Sequence, residues 1–68
     1  MNDPVLFARA LELQAEMFAL NAEVEGMKAE NQSRERRGES PSYMGESFDL
    51  VAEKLRNIAV AIHGLAYT

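Results

Sequence analysis

Gly38-Glu39-Ser40-Pro41-Ser42-Tyr43-Met44-Gly45 divides the chain in two. Two Gly, one Pro and two Ser within these eight residues are turn chemistry. Gly38 suits the left-handed position that ends a helix, and Pro41 disfavours helical backbone at Ser40. Residues before and after this stretch carry a helical period. The sequence therefore predicts a helix over about 4–37, a loop over 38–45 and a second helix over about 46–63.

Upstream, Asp3-Pro4 is a helix start: the carboxylate can accept orphan amide hydrogens of the first turn, and Pro4 sits where its missing N–H does no harm. In heptad notation the a positions are Ala10, Met17, Val24 and Asn31, and the d positions are Leu6, Leu13, Leu20 and Met27. The result is a rod roughly 50 Å long at ~1.5 Å per residue. Downstream, Phe48, Val51, Leu55, Ile58, Ile62 and Leu65 recur at spacings of three and four, flanked by Ala52, Ala59 and Ala66. Gly64 is expected to end that helix.

The expected fold is all-α: a long helix, a loop and a shorter helix that folds back as an antiparallel hairpin. The second helix covers only ~28 Å, so from residue 46 it should reach Glu16 or Leu20 and leave Val5, Leu6, Phe7, Leu11 and Leu13 bare. A second copy would cover them, giving a four-helix homodimer with a twofold interface. The expected core and dimer residues are Leu6, Leu13, Met17, Leu20, Val24, Met27, Phe48, Val51, Leu55, Ile58 and Ile62.

Composition bounds function. The chain has 68 residues, no Cys and a single His, so it forms at most one small domain, with no disulfide to staple it. No catalysis and no cofactor are expected. The net charge of −4 gives no global field toward nucleic acid or an anionic membrane. That charge is uneven: residues 1–33 carry all of it, and residues 34–68 are neutral overall. Met1-Asn2-Asp3-Pro4 lacks a basic region, and Arg9 and Glu12 interrupt the apolar stretch next to it, so no signal peptide is expected. A lack of Cys fits a reducing cytoplasm without requiring it.

Few side chains invite a functional reading. His63 has no metal ligand or nucleophile at helical spacing, and it suits the C-terminal end of a helix. Glu16, Glu23 and Glu30 fall at heptad position g, a solvated flank where Glu23 and Lys28 can pair between helices. No Glu-x-x-His motif accompanies them, so no metal site is expected. Arg34, Arg36 and Arg37 form a basic knot that suits a helix C-terminus, a protein contact or, least, nucleic acid. Tyr43 is either an interface anchor on an exposed loop or a plug on the end of the hairpin, and Met44 is an adaptable contact beside it. Asn31, polar in an apolar row, either fixes register or caps the loop end.

The residues Gly26-Met27-Lys28-Ala29-Glu30-Asn31, then Arg34, Gly38, Ser42-Tyr43 and Phe48, carry a family resemblance. The chain resembles small early-region proteins of Pseudomonas and other temperate phages, with the pattern G-M-x-A-x-N-x-x-R-x-x-x-G, then A-Y and a downstream Phe. It covers roughly residues 20–62, with Ser42 in place of the usual Ala and with Pro41 and Met44 outside the pattern. The resemblance implies a dimeric helical protein in the cytoplasm of an infected bacterium. That protein would inhibit, as an anti-activator, a quorum-sensing transcription regulator responsive to acyl-homoserine lactones, and could also bind a type IV pilus assembly ATPase. Of the matching positions, Tyr43 alone carries over as a contact residue, and Gly26, Asn31 and Gly38 carry over as structural positions; Met44, Arg34 and Arg37 join Tyr43 as partner-binding candidates from their own chemistry. The competing expectations are a nucleic-acid-binding hairpin that uses Arg34, Arg36 and Arg37, and a structural phage assembly protein.

Overall fold

The computed structural model describes residues 3–67, so Met1, Asn2 and Thr68 lie outside the described residues. The elements are α1, Pro4–Arg36, and α2, Gly45–Ala66, and they pack as a hairpin. The described residues hold helices and turns and no strand. The molecule is a rod with principal extents of 54 × 17 × 9 Å.

Both ends of α1 are closed by the chemistry their residues supply. The Asp3 carboxylate accepts from the Val5 amide at 2.8 Å, with Pro4 at the first helical position. At the other end Gly38 takes φ +76°. Its amide donates to the Glu35 carbonyl at 3.0 Å, and the Glu39 amide donates to the Arg34 carbonyl at 2.8 Å. This pair of bonds is the Schellman pattern, which needs a left-handed residue and so favours Gly.

The second helix departs from its expected bounds. It starts at Gly45, behind a Met44 cap with no side-chain hydrogen bond, and it continues through Gly64 to Ala66. Gly64 does not adopt the left-handed backbone that stops a helix. A mid-helix Gly costs about 1 kcal/mol against Ala. Here Leu65, half-buried, extends the row Val51–Ile58 by one more heptad step, and its burial offsets that cost.

The longer α2 also corrects the reach of the hairpin. Val51 shares a groove with Met27, and Ile58 shares one with Leu20, so in an antiparallel pair residue 65 lies level with residue 13. Leu13, expected to be bare, is only 2% exposed and is the most deeply buried large side chain. Leu6 is half-buried as well. Val5, Phe7 and Leu11 stay 74%, 55% and 50% exposed beyond the end of α2.

The core is narrow. Among the described residues only Leu13, Met27, Val51 and Ile58 are buried hydrophobics. Leu6, Met17, Leu20, Val24, Phe48 and Leu55 are half-buried, and Ile62 is exposed. In α1 it is the d positions Leu13 and Met27 that meet α2, while the a positions Met17 and Val24 stand to one side.

Candidate functional site

The loop is built on one side chain. Asn31 sits on the last full turns of α1, and its Oδ1 accepts from the amides of Ser42 and Tyr43 at 3.0 and 2.9 Å. Its Nδ2 donates to the Tyr43 carbonyl at 2.8 Å. One carboxamide thus satisfies three backbone groups eleven or twelve residues away in sequence. An amide carries donor and acceptor on one planar head, so it can imitate a strand partner; Asp, with acceptors only, cannot make the third bond. Of the two readings of Asn31, this is the loop-end one.

The clamp holds the backbone of Ser42 and Tyr43 against α1. Tyr43 is 37% exposed and lines a shallow groove with Glu23, Met27, Ser47, Leu50, Val51 and Lys54. Its ring therefore rests partly on the hairpin and partly in solvent, between the anchor and plug readings. Met44 is 62% exposed and Leu50 59%. Leu50 was missed by the sequence reading because it lies off the α2 stripe; an apolar residue out of register with its helix was the available signal.

The basic knot is largely spent within the loop end. Arg34 Nε donates to Glu30 at 3.0 Å, and its guanidinium lies 3.8 Å from Glu39. Arg37 pairs with the same Glu39 and donates to the Ser33 hydroxyl at 2.6 Å. Glu39 bridges two arginines across the helix end. Arg36 is exposed, and none of the ion pairs among the described residues involves it.

The remaining candidates are dispersed. Lys28 pairs with Glu25 at 3.2 Å along α1, one turn away on the same helix. Glu23 stands on that helix too, so a Glu23–Lys28 pair between helices needs a second chain. Arg9 pairs with Glu12 in the same manner. His63 is exposed, with its ring centroid 4.7 Å from that of Tyr67. Among the described residues no group of three or more His, Asp or Glu could hold a metal ion. A second shallow groove runs between Glu16, Ala19 and Leu20 on α1 and Lys54, Asn57 and Ile58 on α2, on the same side of the hairpin as Tyr43. No helix of the described residues is long and apolar enough to cross a membrane.

No family model matches the chain, and no curated protein or solved structure does either.

Proposed function

We propose that this chain is a non-enzymatic protein-binding module that inhibits a host bacterial regulator by docking its loop end. The observation that carries this reading is the Asn31 clamp. It pins the backbone of Ser42 and Tyr43 and so presents an aromatic ring, with exposed Met44 and Leu50 near it, at low entropic cost. Aromatic anchors held in this way are the usual centres of protein interfaces. Asn31 and Tyr43 are also two of the positions on which the resemblance to phage anti-activators rests, and the fold brings them into direct contact.

By that resemblance the target is an acyl-homoserine-lactone-responsive transcription regulator, with a type IV pilus assembly ATPase as a second partner. Occlusion of the regulator's DNA-binding surface by the acidic rod is the mechanism in keeping with the charge split. Glu12, Glu16 and Glu23 share the α1 face that borders the Tyr43 side, and they would meet basic residues there. The pairing of Arg34 and Arg37 with Glu30 and Glu39 leaves little free positive charge at the loop end for phosphates.

The test is calorimetric titration of the protein into a purified regulator of that class, with DNA binding by the regulator measured in parallel. The reading expects a stoichiometric complex, loss of DNA binding, and about thirtyfold weaker association for Tyr43→Ser, equivalent to ~2 kcal/mol. A Tyr43→Ser protein with unchanged helicity and full affinity would remove the site assignment. Absence of any complex at micromolar concentration would remove the target.

A further inference from the structure

The two grooves on the Tyr43 side meet at Lys54, which lines both, and together they form one trough along the seam of α1 and α2. Its floor is apolar, with Leu20 and Ile58 in one half and Met27 and Val51 in the other. It runs from Glu16 to Met27 along α1 and from Ile58 to Ser47 along α2. That is about 16 Å, or roughly three helical turns, at ~1.5 Å per residue. Tyr43 stands at its loop end.

The charges on the α1 rim are the ones that helix leaves unpaired. From Arg9 to Arg34, α1 carries eight charged side chains. Arg9 pairs with Glu12, Lys28 with Glu25, and Arg34 with Glu30. The remaining two, Glu16 and Glu23, form no ion pair among the described residues, and both line the trough. They stand seven residues apart, on one face of the helix. Across the trough Lys54, also without an ion pair among the described residues, stands between the uncharged Ser47, Leu50 and Asn57. One rim is thus acidic, and the other carries a single cation.

We propose that this trough receives an amphipathic α-helix of the partner protein, its apolar face on the floor and its basic residues along the flank beside Glu16 and Glu23. The inference rests on the reading of the Tyr43 side as the docking surface, and it names what docks there. A helix is the segment that fits. Both walls are helices whose backbone groups are bonded internally, so an extended strand finds no sheet edge to join and would leave its own amides unpaired over an apolar floor. A helix arrives with those groups already bonded, and it offers an apolar stripe at i, i+3, i+4 and i+7 to the seam between two rods. Charge selects which helix. Lys or Arg residues seven apart, on the flank turned to α1, meet Glu16 and Glu23 at the same spacing. Acidic residues on that flank would set like charges together, whereas the flank turned to Lys54 takes an acidic or neutral residue. Ala19, exposed on the α1 wall, leaves room there for a large apolar side chain.

The experiment is a fluorescence anisotropy titration of the full chain against two labelled helical peptides of about 15 residues. The peptides share one apolar face and carry either Lys or Glu along one flank. The Lys peptide is expected to bind at micromolar concentration, about tenfold or more tighter than the Glu peptide. Glu16→Lys combined with Glu23→Lys should reverse that order. The control is Asp49→Lys combined with Glu53→Lys, at a separate groove on the outer side of α2, and it should keep the order. Both variants move the net charge from −4 to about 0, so general attraction to the chain cannot separate them. All four positions are exposed, and circular dichroism should be unchanged. Amide shifts on binding the Lys peptide are expected at Ala19, Leu20 and Ile58. Lack of binding, equal affinity for the two peptides, reversal by the control, or shifts at Met17 and Phe48 instead would overturn the proposal. So would self-association of the chain that Glu16→Lys with Glu23→Lys abolishes, which would give the trough to a second copy. A regulator complex lost in Tyr43→Ser but intact in Glu16→Lys with Glu23→Lys would overturn the trough and leave the docking reading in place. The expected peptide order without any regulator complex would uphold the trough and remove only the target.

Discussion

At the loop end of the hairpin, polar groups close on one another: Asn31 on the backbone of residues 42 and 43, Glu39 on Arg34 and Arg37, and the Gly38 and Glu39 amides on the last carbonyls of α1. At the open end α1 runs on past α2 with Val5, Phe7 and Leu11 exposed, and Tyr67 is 78% exposed at the end of α2. One end is held by directional bonds that fix a single backbone path. At the other the two helices meet at the buried Leu13, and apolar contact of that kind fixes proximity but not shape. A loop that must present one face to a partner benefits from the first kind of order.

Leu13 marks the last tight contact before the open end, and its replacement tests that end hardest. Leu13→Ala should cost about 2–5 kcal/mol, read as a lowered midpoint in urea or heat. Leu20→Ala, at a half-buried d position, should cost clearly less. Equal losses would mean that the two positions share one environment and that α2 stops short of Leu13.

Asn31→Ala probes the opposite end. Removing three hydrogen bonds from a half-exposed site, where water can replace part of them, should cost about 1–3 kcal/mol. The helices should survive, as judged by circular dichroism, while affinity for a loop-binding partner falls as much as in Tyr43→Ser. An Asn31→Ala protein that binds normally would show that the clamp is only structural.

Gly38→Ala sharpens the same end at smaller scale. Its Cβ would meet open space, yet the left-handed backbone should still cost about 1 kcal/mol in thermal or chemical melting. Gly26 supplies the contrast, since it lies mid-helix at ordinary φ with nothing within 4 Å of an added Cβ. Gly26→Ala should therefore stabilise by roughly 0.5–1 kcal/mol. A loss instead would reveal a close neighbour on that face of α1.

Much of this architecture was legible in residue spacing. The Asp3-Pro4 start and the Gly38 stop of α1 come from local backbone chemistry, and the heptads place Leu13, Met27, Val51 and Ile58 on the faces that meet. The end of α2 was misread because Gly64 carries a propensity cost that Leu65 offsets only once α1 lies beside it, and a helix considered alone does not contain that neighbour. Which heptad row is covered was hidden for the same reason, since periodicity treats a and d alike. At the candidate site, Tyr43 and Met44 were visible as large side chains in a polar loop. The clamp was not, because its halves lie in different elements and meet only when the chain folds back; Leu50 joins them by the same folding.

The central claim is that Asn31 preforms the loop that presents Tyr43, and amide hydrogen exchange at Ser42 and Tyr43 in the free protein tests it most directly. These two amides should exchange about tenfold or more slower than in an unstructured peptide, a protection of roughly 1.4 kcal/mol. In Asn31→Ala they should return to the peptide rate while the amides of α1 and α2 remain protected. Free exchange of both amides in the unaltered protein, or protection that persists without Asn31, would contradict the account.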